Sequence, residues 1–292
     1  MFWKKLMKKW RNKNAKIKEV QMMNKREMKK SIQTVIKNMM DKVMDNVLIK
    51  DPFIPEKHHA EKPLYAALVP DEIFKGSHFE RRFVTPFGNA WEELGRVAGN
   101  TGRGSAERQK MIEGDIDEER LRRIQEILNS LEHPQKNKKE KPDWRRELEY
   151  VLDGNSGKMI PCSVLADLYL ETREGEKYAF ELKAPLPNSD QTKVSKEKIL
   201  KLYAMDPMPV QGAFFALPYN PYGNKKADYN WSFPKRWFDM INDEVVLIGN
   251  EFWDFIGGDG TYDIFLEAIE EMGVEYKEKI YKDFLGIEPP RS

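Results

Sequence analysis

The chain has 292 residues, enough for one large domain or two smaller ones with a substantial core. With 40% hydrophobic and 33% charged residues it fits the soluble globular class, no run approaches the roughly 18 apolar residues of a membrane span, and the single Cys162 excludes an internal disulfide and a multi-cysteine zinc site. The net charge of +1 conceals an asymmetry: Met1 to Lys30 carries ten Lys and two Arg against two Glu, and Asp239 to Ser292 carries fourteen Asp or Glu against four Lys or Arg. Such polarity suits either a face turned to a polyanion or a solvated basic helix with an acidic solubilising segment.

The opening "MFWKKLMKKW" has positive charge without the apolar core of a secretory signal, and a cytoplasmic location is expected. Residues 1 to 49 hold no Pro or Gly and repeat apolar side chains at helical spacing (Val20, Met23, Ile32, Val35, Ile36, Met39, Val43, Val47), which predicts one long helix or two in succession and a basic helical N-terminal region over 1–50. "KDPFIPEKHHAEKP" reads as a Pro-punctuated loop; its adjacent His58 and His59 do not share a helix face and make a poor metal site. A second helical stretch starts near Asp71 and runs through "FERRFVTPFGNAWEELGRVAG", interrupted or kinked at Pro86. "GNTGRGSAERQ" reads as a flexible loop, not a phosphate-binding one, since no strand precedes it and no Gly-Lys-Ser/Thr follows. A helix is expected over Asp117 to Leu131, and "HPQKNKKEKPDWRRE" reads as a basic linker or surface loop.

Beyond Tyr150 the pattern changes to strands. "SVLADLYLE", "KYAFELKA" and "VQGAFFALPY" are short apolar runs, with a helix over "SDQTKVSKEKILKLYAM" between the last two and aromatic-rich helices around "KRWFDMI", "NEFWDFIGG" and "TYDIFLEAIEEM". This order predicts a mixed α/β (α+β) architecture, a sheet core flanked by helices.

The first two runs form a hairpin if the turn is Arg173-Glu174-Gly175, with Gly175 supplying a positive φ. Leu170 then opposes Tyr178, Leu168 opposes Phe180 and Ala166 opposes Leu182 on one apolar face. The other face collects Asp167 opposite Glu181, with Lys183 two residues on. Facing carboxylates repel unless a cation lies between them. Two hard oxygen donors with an ammonium alongside suit Mg²⁺ and phosphodiester hydrolysis, with the lysine orienting water or offsetting phosphate charge. An ordinary charge pair on a solvent-facing strand is the competing explanation.

At these residues the sequence resembles the PD-(D/E)xK nuclease superfamily, with Asp167 as its first acidic residue, Glu181-Leu182-Lys183 as its ExK element, and Ala166 where many members have Pro. The resemblance extends to type II restriction endonucleases of the TdeIII kind through "FERRFVTPFGNAWEELG", "ADLYLETREGEKYAFELKAPLPNSDQTKVSKEKILKLYAM", "FFALPYNPYGNKKADYNWSF" and "LIGNEFWDFIGGDGTY". It implies a restriction-endonuclease-like mixed sheet and a nuclease domain over 51–292. The implied activity is Mg²⁺-dependent cleavage of double-stranded DNA at a short, roughly palindromic site of the GGNCC type. The implied partners are a second copy in a homodimer and a DNA methyltransferase.

Many superfamily members add a helix Glu to the metal site, and Glu92 is the expected one here. After Ser189 or Asp190 as helix cap, Gln191, Lys193, Lys196 and Lys198 are expected to meet DNA, a capped helix with solvated lysines being the alternative, and Asn220, Tyr222 and Lys225 form a second candidate contact in "PYNPYGNKKADYNW", where a packed aromatic loop is the plainer reading. A structure-specific repair or junction nuclease of the same superfamily and a non-catalytic DNA-binding module remain open alternatives.

Overall fold

The computed structural model describes residues 2–133 and 141–290, with side chains from Asn24 onward. In chain order the main elements are helices α1 (Phe2–Asp45), α2 (Pro55–Glu61), α3 (Pro63–Ala66) and α4 (Asp71–Thr101), strand β1 (Gly104–Asp117), helices α5 (Glu118–Glu132) and α6 (Trp144–Leu152), strands β2 (Met159–Thr172) and β3 (Lys177–Leu182), helix α7 (Ser189–Ala204), strands β4 (Gly212–Leu217) and β5 (Val246–Ile248), and helices α8 (Asn250–Gly257) and α9 (Thr261–Lys279). The expected mixed α/β class is what forms. Among the described residues no helix is long and apolar enough to cross a membrane. The chain divides into two compact units, Met1–Leu94 with Asp263–Ser292, and Gly95–Tyr262.

In the first unit α1 buries Ile32, Ile36, Met39 and Val43 of the expected stripe and Met28 besides, while Val35 is half-buried; Val20 and Met23 lie outside the described side chains. A π-helical turn, Asn46–Lys50, ends it. The basic helix meets the acidic one: Lys29 pairs with Glu267 and Glu271 at 3.1 and 2.7 Å, so part of the charge asymmetry is satisfied internally. The expected loop after residue 50 is partly helical, because Pro55 and Pro63 each open a short helix where a missing N–H costs nothing. Pro86 does not interrupt α4, which is one helix.

The second unit is a five-stranded sheet in sequence order, β1-β2-β3-β4-β5, antiparallel across the first three strands and parallel from β3 onward. β1 replaces the expected flexible loop, and α6 covers the end of the expected basic linker, of which residues 134–140 lie outside the described ones. One sheet face packs Ile124, Leu128, Trp144, Ile199, Leu200 and Phe215. On the other, Phe180 and Phe214 meet Phe252 and Phe255 of α8, with ring centroids 5.8 Å apart for Phe180–Phe252 and 5.1 Å for Phe214–Phe255. The last turns of α4 approach the sheet closely: a β-carbon on Gly99 would stand 2.7 Å from that of Ala106.

The hairpin forms as its pattern predicts. Leu168 pairs with Phe180 and Leu170 with Tyr178, and Gly175 turns the chain with φ 85°. α7 is the crossover that returns the chain from β3 to its parallel neighbour β4. The expected helix around "KRWFDMI" is a single 3-10 turn, Pro234–Arg236.

Candidate active site

The β2–β3 ladder stops at Leu168–Phe180, so the expected Ala166–Leu182 pair does not form. The Leu182 N–H instead donates to Asp167 Oδ2 at 2.9 Å. Here the two strands bring together the three charged residues that the sequence singles out. Lys183 Nζ lies 2.6 Å from Asp167 Oδ2 and 3.3 Å from Glu181 Oε2. The face carrying them is not a solvent face, because Tyr169 and Ala179 beside them belong to the core that α5 and α7 cover. Asp167 is 9% exposed and Glu181 2%.

A fourth charge joins from α7. Lys198 Nζ donates to Glu181 Oε1 at 2.8 Å and to the Leu165 carbonyl at 2.7 Å. Burial, and then the neighbouring Asp167 charge, push the Glu181 carboxyl up to about 7 against the opposing pull of Lys183 and Lys198. Burial lowers the Lys183 ammonium, but Glu181 and Asp167 outweigh it and its net shift is upward. The cluster is thus a desolvated pair of oxygen donors that depends on positive charge. Among the described residues no three His, Cys, Asp or Glu side chains converge as a metal-binding group.

The segment between Lys183 and α7 is fastened by aromatic donors. Tyr229 Oη donates to the Pro185 carbonyl at 2.8 Å, Trp231 Nε1 to the Pro187 carbonyl at 2.9 Å, and Trp237 Nε1 to Ser189 Oγ at 3.0 Å. The cap of α7 is Asn188, one residue before the expected pair, and it exchanges hydrogen bonds with Gln191 in a capping box.

The other expected residues lie on α4, on α7 and in the segment between β4 and β5. Glu92 is half-buried on α4 within the first unit. Gln191 is exposed, and Lys193 pairs with Glu132 at 2.5 Å. Asn220 closes its own turn by donating to the Lys225 carbonyl at 2.7 Å and accepting from the Tyr222 N–H; Tyr222 and Lys225 are exposed beside it. Lys196 corrects the expectation of a DNA contact: it is 0% exposed, ion-paired with Glu147, and donates to the Trp237 carbonyl. Its ammonium lies over the Phe238 ring, inside the core. His58 and His59 sit on α2, where His59 pairs with Asp71 at 2.8 Å.

A family model described as "Type II restriction endonuclease, HinfI" matches residues 28–273. Three enzymes of Herpetosiphon aurantiacus are similar across most of their length. The type II restriction enzyme HgiCII is 31% identical over 231 residues, 77% of this chain and 82% of its own. HgiBI is 30% identical over 228 residues, 77% of this chain and 81% of its own, and HgiEI is 30% identical over 241 residues, 80% and 86%.

Proposed function

The chain belongs to the HinfI family of type II restriction endonucleases, and from that premise we propose that it cleaves double-stranded DNA at a short, two-fold symmetric sequence, with Asp167, Glu181 and Lys183 as its catalytic residues. The observation that carries this reading is the convergence of both carboxylates on Lys183 Nζ, at 2.6 and 3.3 Å, at the end of a buried sheet face. A scaffold gains little from desolvating two like charges side by side.

Mg²⁺ fits the chemistry of these donors, since it takes one or two carboxylates and leaves its other positions to water and phosphate oxygens. Asp167 and Glu181 would hold it, with Glu92 as a third candidate. When bound, the ion supplies Lewis acidity and lowers the pKa of coordinated water. The protein's own groups do the positioning. The Leu182 N–H fixes the Asp167 carboxylate, and the Lys183 ammonium orients the attacking water and offsets charge on the phosphate.

Gln191, Lys193, Asn220, Tyr222 and Lys225 are proposed DNA contacts, and a GGNCC-type sequence is the proposed target. A symmetric target calls for a homodimer in which each protomer cuts one strand. A DNA methyltransferase protecting the host sequence, and action in the cytoplasm, complete the proposal. The test is digestion of unmethylated genomic DNA in Mg²⁺ with sequencing of the ends. Defined ends that vanish with Glu181→Ala support the reading; cutting confined to branched DNA, or undiminished cutting by Glu181→Ala, overturns it.

A further inference from the structure

Glu181 is held by two lysines. Lys183 Nζ stands 3.3 Å from Oε2, while Lys198 Nζ donates to Oε1 at 2.8 Å. The two ammonium groups differ in what else holds them. Lys183 bridges Glu181 to Asp167, and Lys198 is anchored independently by the Leu165 backbone carbonyl on β2 at 2.7 Å. Other lysines of α7 are committed elsewhere: Lys193 to Glu132, Lys196 to Glu147, Lys201 to Glu197. Lys198 is therefore the α7 lysine that reaches the carboxylate pair.

A divalent cation and an ammonium on the same carboxylate oxygen repel. A cation that takes Glu181 must displace one of the ammonium groups or tolerate it. Lys198 can release Oε1 and still keep a strong acceptor, Leu165 O, whereas Lys183 gives up charge-assisted bonds to both acids. We propose that Lys198 is a positioning residue: it serves as the counter-charge of Glu181 while no divalent cation is bound, and cedes Oε1 to the cation while staying on Leu165 O. The inference rests on the reading of Asp167 and Glu181 as the metal-holding pair.

Calorimetric titration with Ca²⁺, in the absence of DNA, tests it on the full chain. Lys198→Gln and Lys198→Met are expected to bind Ca²⁺ more tightly, on the order of tenfold, because a competing unit charge is gone. Their metal-free melting temperatures fall and their Ca²⁺-induced rises grow, while Lys198→Arg stays near wild type. A lysine that only braces the fold would lower the melting temperature without tightening Ca²⁺ binding, so unchanged or weaker binding by folded Lys198→Gln overturns the role. A measurement on the wild type does not depend on any variant folding: acetylation of Lys198 by an amine-reactive reagent, read by mass spectrometry, should accelerate on saturation with Ca²⁺, and an unchanged rate overturns the role. If the wild type binds neither Ca²⁺ nor Mg²⁺, the reading of the carboxylate pair falls together with it; if it binds and Lys198→Gln binds no more tightly, only the role of Lys198 falls.

Discussion

The buried hydroxyl of Tyr229 donates to the carbonyl of Pro185, two residues beyond Lys183, at 2.8 Å. It thereby ties a segment distant in sequence to the short connection that follows Lys183. Tyr229→Phe keeps the ring and leaves that carbonyl without its donor, a loss of about 1–3 kcal/mol in stability. Single-turnover cleavage at saturating DNA should slow while DNA affinity measured in Ca²⁺ stays close to wild type. Equal losses in both would mean that the clamp shapes the DNA surface and not the catalytic lysine.

Lys196 and Glu147 form an ion pair inside the core. Either single substitution, Lys196→Met or Glu147→Leu, leaves a buried charge without its partner and is expected to cost about 3–5 kcal/mol in urea denaturation. The double variant should recover most of that loss. Additive losses would show that the two groups are stabilised separately, by Trp237 and by the Asp143 amide.

Asp117 caps α5 through the Glu119 N–H at 2.8 Å and also accepts from the Ser156 N–H and hydroxyl and the Gly157 N–H. Burial works against its ionisation, but these donors outweigh it and hold the carboxyl at about 2, below its ordinary 3.8. Between those values the unfolded chain binds the proton and the folded one does not, so stability from this group is present above about pH 4 and is lost as pH falls toward 2. Asp117→Asn should therefore lower the denaturation midpoint at pH 7, by a margin that narrows between about pH 4 and pH 2. A gap independent of pH would assign the effect to hydrogen bonding alone.

Gly99 lies where α4 crosses β1, and an added β-carbon would come within 2.7 Å of the Ala106 β-carbon. Neither group can rotate away, so Gly99→Ala should cost about 1–3 kcal/mol despite the better helix propensity of alanine. Gly88→Ala, on the same helix with nothing within 4 Å, is the control and should be neutral or stabilising. The two thermal midpoints read the difference directly.

The type II restriction endonuclease resemblance, the mixed fold and the β2–β3 register were legible in the sequence. The register was readable because a period-2 pattern on both strands and one glycine at the turn leave a single pairing. β1 was not legible: over "GSAERQKMIEGDID" few apolar residues recur, and an edge strand needs them on only part of one face. β5 has three residues, too few for any period. The lysines of α7 show the same limit at the level of single residues. Spacing alone makes Lys193, Lys196 and Lys198 equivalent cations, whereas packing sends one into the core and another to Glu181.

The end of the ladder at Leu168–Phe180, with the crossover helix following within a few residues, has a consequence for the order of events in folding. Asp167, Glu181, Lys183 and Lys198 all come from one continuous stretch, a hairpin and the helix after it. The chain closures that bring them together are short, so their entropic cost is low compared with that of docking α4 or α8 on the sheet. The four charges can therefore meet early, and meet while still hydrated. Their later enclosure by the remaining elements is the step at which the two lysines become indispensable, since carboxylates already neutralised can be carried into the interior and unpaired ones cannot.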